Sequence, residues 1–450
     1  MSATREMAPV RPGEVLDLEV TDLAWGGLGV GRTSGGFVVF VEGGLAGERV
    51  RARIGRVRRG HAEARCEQVL RASPDRVVPP CRHYGTCGGC DLQHLDRPAQ
   101  TAARRGQVAA LLQRIAGCSP DLVGDTVAVE GAGPYRFRMD FDRGPGPDGS
   151  PVLGLHRIGD PAVLEPVRDC LVLPEPGNRV RDRIDATLRG FDPPVAVSRV
   201  SIQAAPGGSE ILVTLALDSP PAPVARELAR EILSGNLGVI GVVGTWSPGR
   251  DARPRFITLA GRDFLEIEVE ADRLRVPSGA FFQPNTRGWV LLRRQVIDLL
   301  EPQVSDRILE LYCGVGFFTL PVARRAAAVV AVEGLRAAVA AVRDNLARSG
   351  LDNVQVVGRE VASAIPDLFR GRKFDAVLID PPRAGLARRT AEFLSRVPVG
   401  RMVYVSCDPG TLARDLKILT SRGGFRAGRV VPVDLFPHTH HVECVARLDR

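Results

Sequence analysis

Cys407 stands where an apolar run stops and a turn begins, in YVSCDPGTLARDL (404–416). Tyr404 and Val405 read as the end of a buried strand. Asp408-Pro409-Gly410-Thr411 supplies turn and helix-start chemistry, with Asp408 or Thr411 as the N-cap. A thiol at that seam lies near a helix N-terminus, where the dipole favours thiolate, the form that attacks carbon. The spacing therefore predicts an activated sulfur nucleophile.

A second chemistry-bearing stretch is RILELYCGVGFFTLPVA (307–323), a strand, a Gly-rich turn and a helix start. Gly314 and Gly316 would let backbone approach a ligand at the strand's C-terminal edge. A dinucleotide fingerprint calls for a third glycine at position 319, where this chain has Thr319. Glu333 ends the following strand, where an acid holds ribose hydroxyls, and Asp380 closes FDAVLID. A loop without the pyrophosphate glycine but with the ribose acid suits S-adenosylmethionine.

A third is CRHYGTCGGC, in which Cys81, Cys87 and Cys90 follow a C-x5-C-x2-C spacing among small residues. Three soft ligands leave one vacancy, for which Cys170 in VRDCLVLP is the first candidate, with Cys118 and Cys66 as alternatives. Four thiolates mean zinc or an iron–sulfur cluster.

These residues need elements to position them. The chain has 450 residues, 44% hydrophobic and 25% charged, enough for about three globular domains. Residues 9–71 read as a small β-barrel whose last strands carry Arg49, Arg51, Arg53, Arg56, Arg58, Arg59 and Arg65 against one acid, Glu63. RASPDRVVPP then reads as a linker. Residues 72–275 form a central region with a helix near Ala99–Ala116 and several strands. Residues 276–450 alternate strand and helix, the pattern of a doubly wound parallel sheet. The net charge is +8, and all but two of the basic side chains are arginine. That suits a polyanion such as RNA as well as it suits a solvated surface. Nine cysteines without an export pattern argue against a disulfide framework. No stretch is apolar enough to span a membrane, and a cytoplasmic location is expected.

Taken together, these motifs resemble the bacterial RNA uracil-C5 methyltransferases. The resemblance rests on the cluster-like cysteines, YRFRMDF (135–141), PSGAFFQPN (277–285), LELYCGVG, DPPRAG (380–385), YVSCDP (404–409) and PHTHHVE (437–443). Within that family the chain looks most like the branch acting on large-subunit ribosomal RNA. The transfer-RNA enzymes, which share the catalytic core, are the alternative. The resemblance implies a Rossmann-like class I methyltransferase domain, an OB-like TRAM barrel and a central α+β domain bearing a [4Fe–4S] cluster. It implies Cys81, Cys87, Cys90 and Cys170 as cluster ligands. It also implies Gln283, Tyr312, Glu333 and Asp380 as methyl-donor contacts, Cys407 as nucleophile and Glu443 as proton-abstracting base. RNA is the implied partner, and nothing calls for an obligate protein partner.

The chain departs from some relatives at Phe317, where they carry a polar residue able to touch the cofactor. His440 and His441, beside Glu443, either orient that carboxylate or pack. An amino-group methyltransferase would place an aromatic after Asp-Pro-Pro; here Arg383 follows. An RNA-binding protein with a degenerate methyltransferase domain would have no use for Cys407 and Glu443.

Overall fold

Alternating apolar residues in the N-terminal strands close a barrel in the computed structural model, which describes residues 9–131, 133–249 and 252–450. Val15–Ala24, Leu28–Arg32, Val38–Glu42, His61–Arg71 and Arg49–Val57 pair in that order around it. Leu18, Val20, Val39, Val41, Val50 and Ile54 fill the interior. Arg49, Arg51 and Arg53 share the outer face of one strand, as expected. The basic stripe is nevertheless weaker than expected from one opposing acid. Strand pairing brings Asp17 to 2.9 Å from Arg51, Glu67 to 2.5 Å from Arg53 and Glu19 to 2.8 Å from Arg71. Arg56, Arg58 and Arg59 stay exposed at and beside the last hairpin turn. The stretch expected as a linker is tied down, because Arg76 grips both carboxylate oxygens of buried Glu48 at 2.6 and 2.8 Å.

The central region builds a seven-stranded sheet between Arg138 and Gly261, covered by helices Glu175–Gly190 and Pro223–Leu233. The C-terminal region builds an eight-stranded sheet. Its strands run in the order Val354–Gly358, Ala328–Glu333, Arg307–Leu311, Ala376–Ile379, Arg401–Ser406, Glu443–Asp449, Arg426–Asp434 and Val127–Ala128. The first five are parallel, and Glu443–Asp449 runs antiparallel to both its neighbours. Chain order reverses between Arg307–Leu311 and Ala376–Ile379. A crevice at such a reversal, beyond the C-terminal strand ends, is where open α/β sheets bind ligands.

Parts of the region between residues 72 and 275 pack with the C-terminal sheet. Helix Arg97–Ala116, expected in the central region, shares a core with the C-terminal sheet: Val108, Ala109 and Leu112 pack with Leu309, Leu412 and Leu416. The hairpin Phe264–Val269 and Asp272–Pro277 likewise joins the core of Trp289 and Leu292. Helix periodicity shows that a face is apolar but not which sheet it covers. Among the described residues no helix is long and apolar enough to cross a membrane.

The same helix carries Arg104, which is fully buried. Its guanidinium donates to the carbonyls of Phe436 (3.1 Å), Thr439 (2.8 Å) and His441 (3.3 Å) and stands 3.2 Å from buried Asp434. Arg97 also pairs with Asp434. Removing the acid strands a buried cation. Asp434→Ala should therefore cost about 3 kcal/mol of stability in a denaturant titration.

Candidate active site

Strand ends deliver most of the candidate residues to one cavity. Leu311 leads into Tyr312, whose backbone takes the left-handed conformation (φ 64°) and whose N–H donates to the Val332 carbonyl at 2.9 Å. Ile379 leads into Asp380. Ser406 leads into Cys407, and Asp408 caps the helix Pro409–Gly423 by accepting from the Thr411 N–H at 2.9 Å. Of the two expected caps, Asp408 is the one used. Glu443 opens the antiparallel strand beside Arg401–Ser406, where its neighbour Cys444 lies opposite Ser406.

Tyr312, Gly314, Glu333, Asp380, Cys407, Glu443 and Gln283 line the same cavity of about 480 Å³. A Cβ built on Gly314 (φ 55°) would meet no protein atom within 4 Å, so the loop leaves room there for a ligand. Gly316 (φ 95°) does not line the cavity. A Cβ there would stand 2.8 Å from Leu320 and 3.0 Å from Val342, so its role is to pack the loop on its helices. Glu333 accepts from the N–H groups of Gly314 (3.1 Å) and Leu335 (2.7 Å), which shapes the loop's floor. Gln283 donates weakly to Asp380 at 3.3 Å, while its own Oε1 is buried without a partner. An orphaned acceptor facing a cavity of this size fits an amino-bearing nucleoside ligand such as S-adenosylmethionine.

Phe317 belongs to the wall. It meets Phe282 and Phe318 edge-on, with ring centroids 5.4 and 4.8 Å apart, and Arg293 lies over its ring at 4.7 Å. Phe282 in turn packs on Trp289, whose indole N–H donates to the Gln283 carbonyl at 2.9 Å. The aromatic at 317 thus supports Gln283 indirectly. Sequence reasoning did not single out Phe281, which lines the cavity yet is 66% exposed. An exposed aromatic at a cavity mouth is unusual, but nothing in the FF pair says which ring faces out.

The electrostatics correct one expectation. Burial pushes the Cys407 thiol up to about 12, the nearby Glu443 and Asp380 carboxyls add to the effect, and Arg383 opposes it. Burial therefore outweighs the helix start, which does not by itself yield a thiolate. Burial also holds Asp380 at about 7, and burial with Asp380 nearby holds Glu443 well above the usual carboxylate range. Burial thus favours the neutral forms of these three side chains.

His440 and His441 do not share Glu443's cavity. His440 Nδ1 pairs with Asp91 at 2.5 Å, and the His441 ring packs against those of His440 and Phe436.

Cys81, Cys87, Cys90 and Cys170 come together around a second, small cavity of about 40 Å³. Cys66 lies at the barrel core and Cys118 against the catalytic core, so neither alternative is the fourth member. Burial raises Cys87 to about 11 and Cys90 to about 12, with the other thiols of the group adding to both. Among the described residues no group of three or more Cys, His, Asp or Glu side chains is disposed to hold a metal ion.

The tRNA (uracil-5-)-methyltransferase family model matches residues 262–450, and the TRAM domain model matches residues 9–66. A 23S rRNA (uracil(1939)-C(5))-methyltransferase, RlmD, of Chromohalobacter salexigens is 34% identical, covering 100% of this chain and 91% of the relative. The chain belongs to the RNA uracil-C5 methyltransferase family. The RlmD of Alkalilimnicola ehrlichii is another relative of this methyltransferase, 33% identical over 98% of this chain and 97% of its own. The solved Pyrococcus abyssi tRNA (uracil-54, C5)-methyltransferase, in complex with S-adenosyl-L-homocysteine, shares the fold. It superposes with a TM-score of 0.71 at 24% identity, covering 96% of this chain and 100% of that one.

A carboxyl that titrates near 7 when folded and near 4 when unfolded lowers stability as pH rises between those values. Asp380→Asn should therefore stabilise the cofactor-free methyltransferase at pH 8 and change it little at pH 4. Thermal melts at the two pH values measure this, together with the expected loss of cofactor affinity.

Proposed function

We propose that this methyltransferase methylates C5 of a uridine in large-subunit ribosomal RNA, with Cys407 as nucleophile and Glu443 as base. The observation that carries this reading is that a cysteine at a strand–helix seam and a buried glutamate share one cavity with the Gly314 loop. Its ribosomal preference is supported by the RlmD relatives, which align along essentially the whole chain, barrel included.

Uracil C5 is too weak a carbon nucleophile to take a methyl group unaided. The Cys407 thiol passes its proton to water as its sulfur adds to C6, and the ring's electrons move towards C5 and O4. S-adenosylmethionine, when bound, supplies the methyl group and a sulfonium charge that offsets the carboxylates around the thiol. Gln283, Tyr312, Glu333 and Asp380 hold it, with Gly314 giving it room. Glu443 then takes the proton from C5, and the electrons left behind expel Cys407 from C6. A base whose pKa is raised by burial is a stronger acceptor once ionised. The uridine must leave its stack to reach Cys407, and Phe281 offers it or a neighbouring base an exposed ring to stack on. Arg56, Arg58 and Arg59 on the barrel supply phosphate contacts.

The four gathered thiols support a [4Fe–4S] cluster held by Cys81, Cys87, Cys90 and Cys170. Such a cluster would cross-link the loop to the central domain. Anaerobically purified protein should be brown and hold about four iron atoms per chain. Stoichiometric zinc without iron would replace the cluster with a zinc site.

The catalytic roles separate by step. Cys407→Ala should abolish methylation and any covalent RNA adduct while retaining cofactor binding. Glu443→Gln should attack and methylate but stall before release, leaving a denaturation-resistant adduct that carries the donor's methyl group. Denaturing gels with radiolabelled donor read both outcomes. Full activity in Cys407→Ala would refute the mechanism.

A further inference from the structure

The segment from Phe436 to Val442, which leads directly into Glu443, is gripped from outside the catalytic domain. The cysteine-bearing loop donates the N–H groups of Asp91 (3.1 Å) and Leu92 (2.9 Å) to the His438 carbonyl. The Asp91 carboxylate also pairs with His440 Nδ1 at 2.5 Å. Tyr84, between the first two cysteines of the group, donates its hydroxyl to the Asp91 carbonyl at 2.8 Å. On the far side Trp25, from the barrel's first turn, meets the His440 ring edge-on at 5.4 Å. His438 is held at φ 70°, a backbone conformation that a non-glycine residue keeps only when its surroundings enforce it.

We infer that the Asp91–His440 pair is a positioning clasp through which the cysteine-bearing loop sets the placement of Glu443, and so governs proton removal from C5. The inference rests on the reading of Glu443 as the base. It gives the cysteine group a defined task. By folding the loop, the group presents Asp91 to His440, three residues before Glu443, and the barrel's Trp25 closes the other side. Asp91 and His440 do not line the cavity that holds Cys407 and Glu443. They act only through the course of the backbone into the catalytic strand.

The test uses the full chain with its metal loaded and a model RNA containing the target uridine. His440→Phe keeps the ring against Trp25 and His441 but removes the N–H that Asp91 accepts, whereas His440→Asn keeps a donor at a similar position. Asp91→Ala removes the acceptor. His440→Phe and Asp91→Ala should lower turnover at saturating substrates about tenfold or more, since small misplacements of a catalytic group have effects of that order. Affinity for S-adenosylhomocysteine and KM for RNA should stay within about twofold of wild type, the mark of a defect confined to the chemical steps. Both variants should accumulate the methylated, denaturation-resistant RNA adduct, and His440→Asn should restore most of the turnover.

Glu443→Gln, run in parallel, separates the two levels. If it traps the adduct while His440→Phe and Asp91→Ala do not, the clasp is overturned and the base assignment stands. If Glu443→Gln traps nothing, the base assignment fails and the clasp fails with it. A raised KM at unchanged turnover in His440→Phe would also overturn the inference, because it would make the pair an RNA contact.

Discussion

A buried guanidinium must find every partner inside the protein, and Arg104 finds most of its partners on the segment that leads into Glu443. A desolvated cation is costly unless it is paired and hydrogen-bonded. Asp434 and three backbone carbonyls therefore have to stand where helix Arg97–Ala116 puts that charge. This one requirement joins a helix encoded early in the chain to a catalytic strand encoded at its end. Tyr135 adds a further tie by donating its hydroxyl to the Pro437 carbonyl at 3.1 Å.

Local chemistry made much of the site legible in the sequence. The strand–turn–helix pattern around Gly314, the acid at Glu333 and the cysteine at a helix start each depend on neighbours within a few residues, and each sits as its pattern indicated. The gathering of Cys170 with the three clustered cysteines is long-range, but sulfur chemistry restricted the choice. What the sequence could not show was set by pairing across distance. Register opposed Asp17 and Glu67 to the barrel arginines and reduced the basic stripe. Tertiary packing moved helix Arg97–Ala116 into the catalytic core. It also turned Gly316 towards Leu320 and Val342 and left Phe281 exposed beside its buried neighbour Phe282.

At Cys407 a sound local rule is outweighed by burial. A dipole offers up to a few tenths or about 1 kcal/mol at an exposed terminus. Burial of a thiol beside two carboxyls acts in the opposite direction and is larger, since it carries the group up to about 12. Burial thus disfavours the thiolate form of Cys407.

The central claim is a covalent bond between Cys407 and uracil C6. The most direct measurement is mass spectrometry of the protein after incubation with S-adenosylmethionine and RNA carrying 5-fluorouridine at the target position. Fluorine leaves Glu443 no proton to remove, so the adduct cannot resolve. The account predicts a stable complex whose cross-linked peptide contains Cys407 and whose base carries the donor's methyl group. An adduct on Cys313, which lines the same cavity, or no adduct alongside full methylation of ordinary RNA, would contradict it.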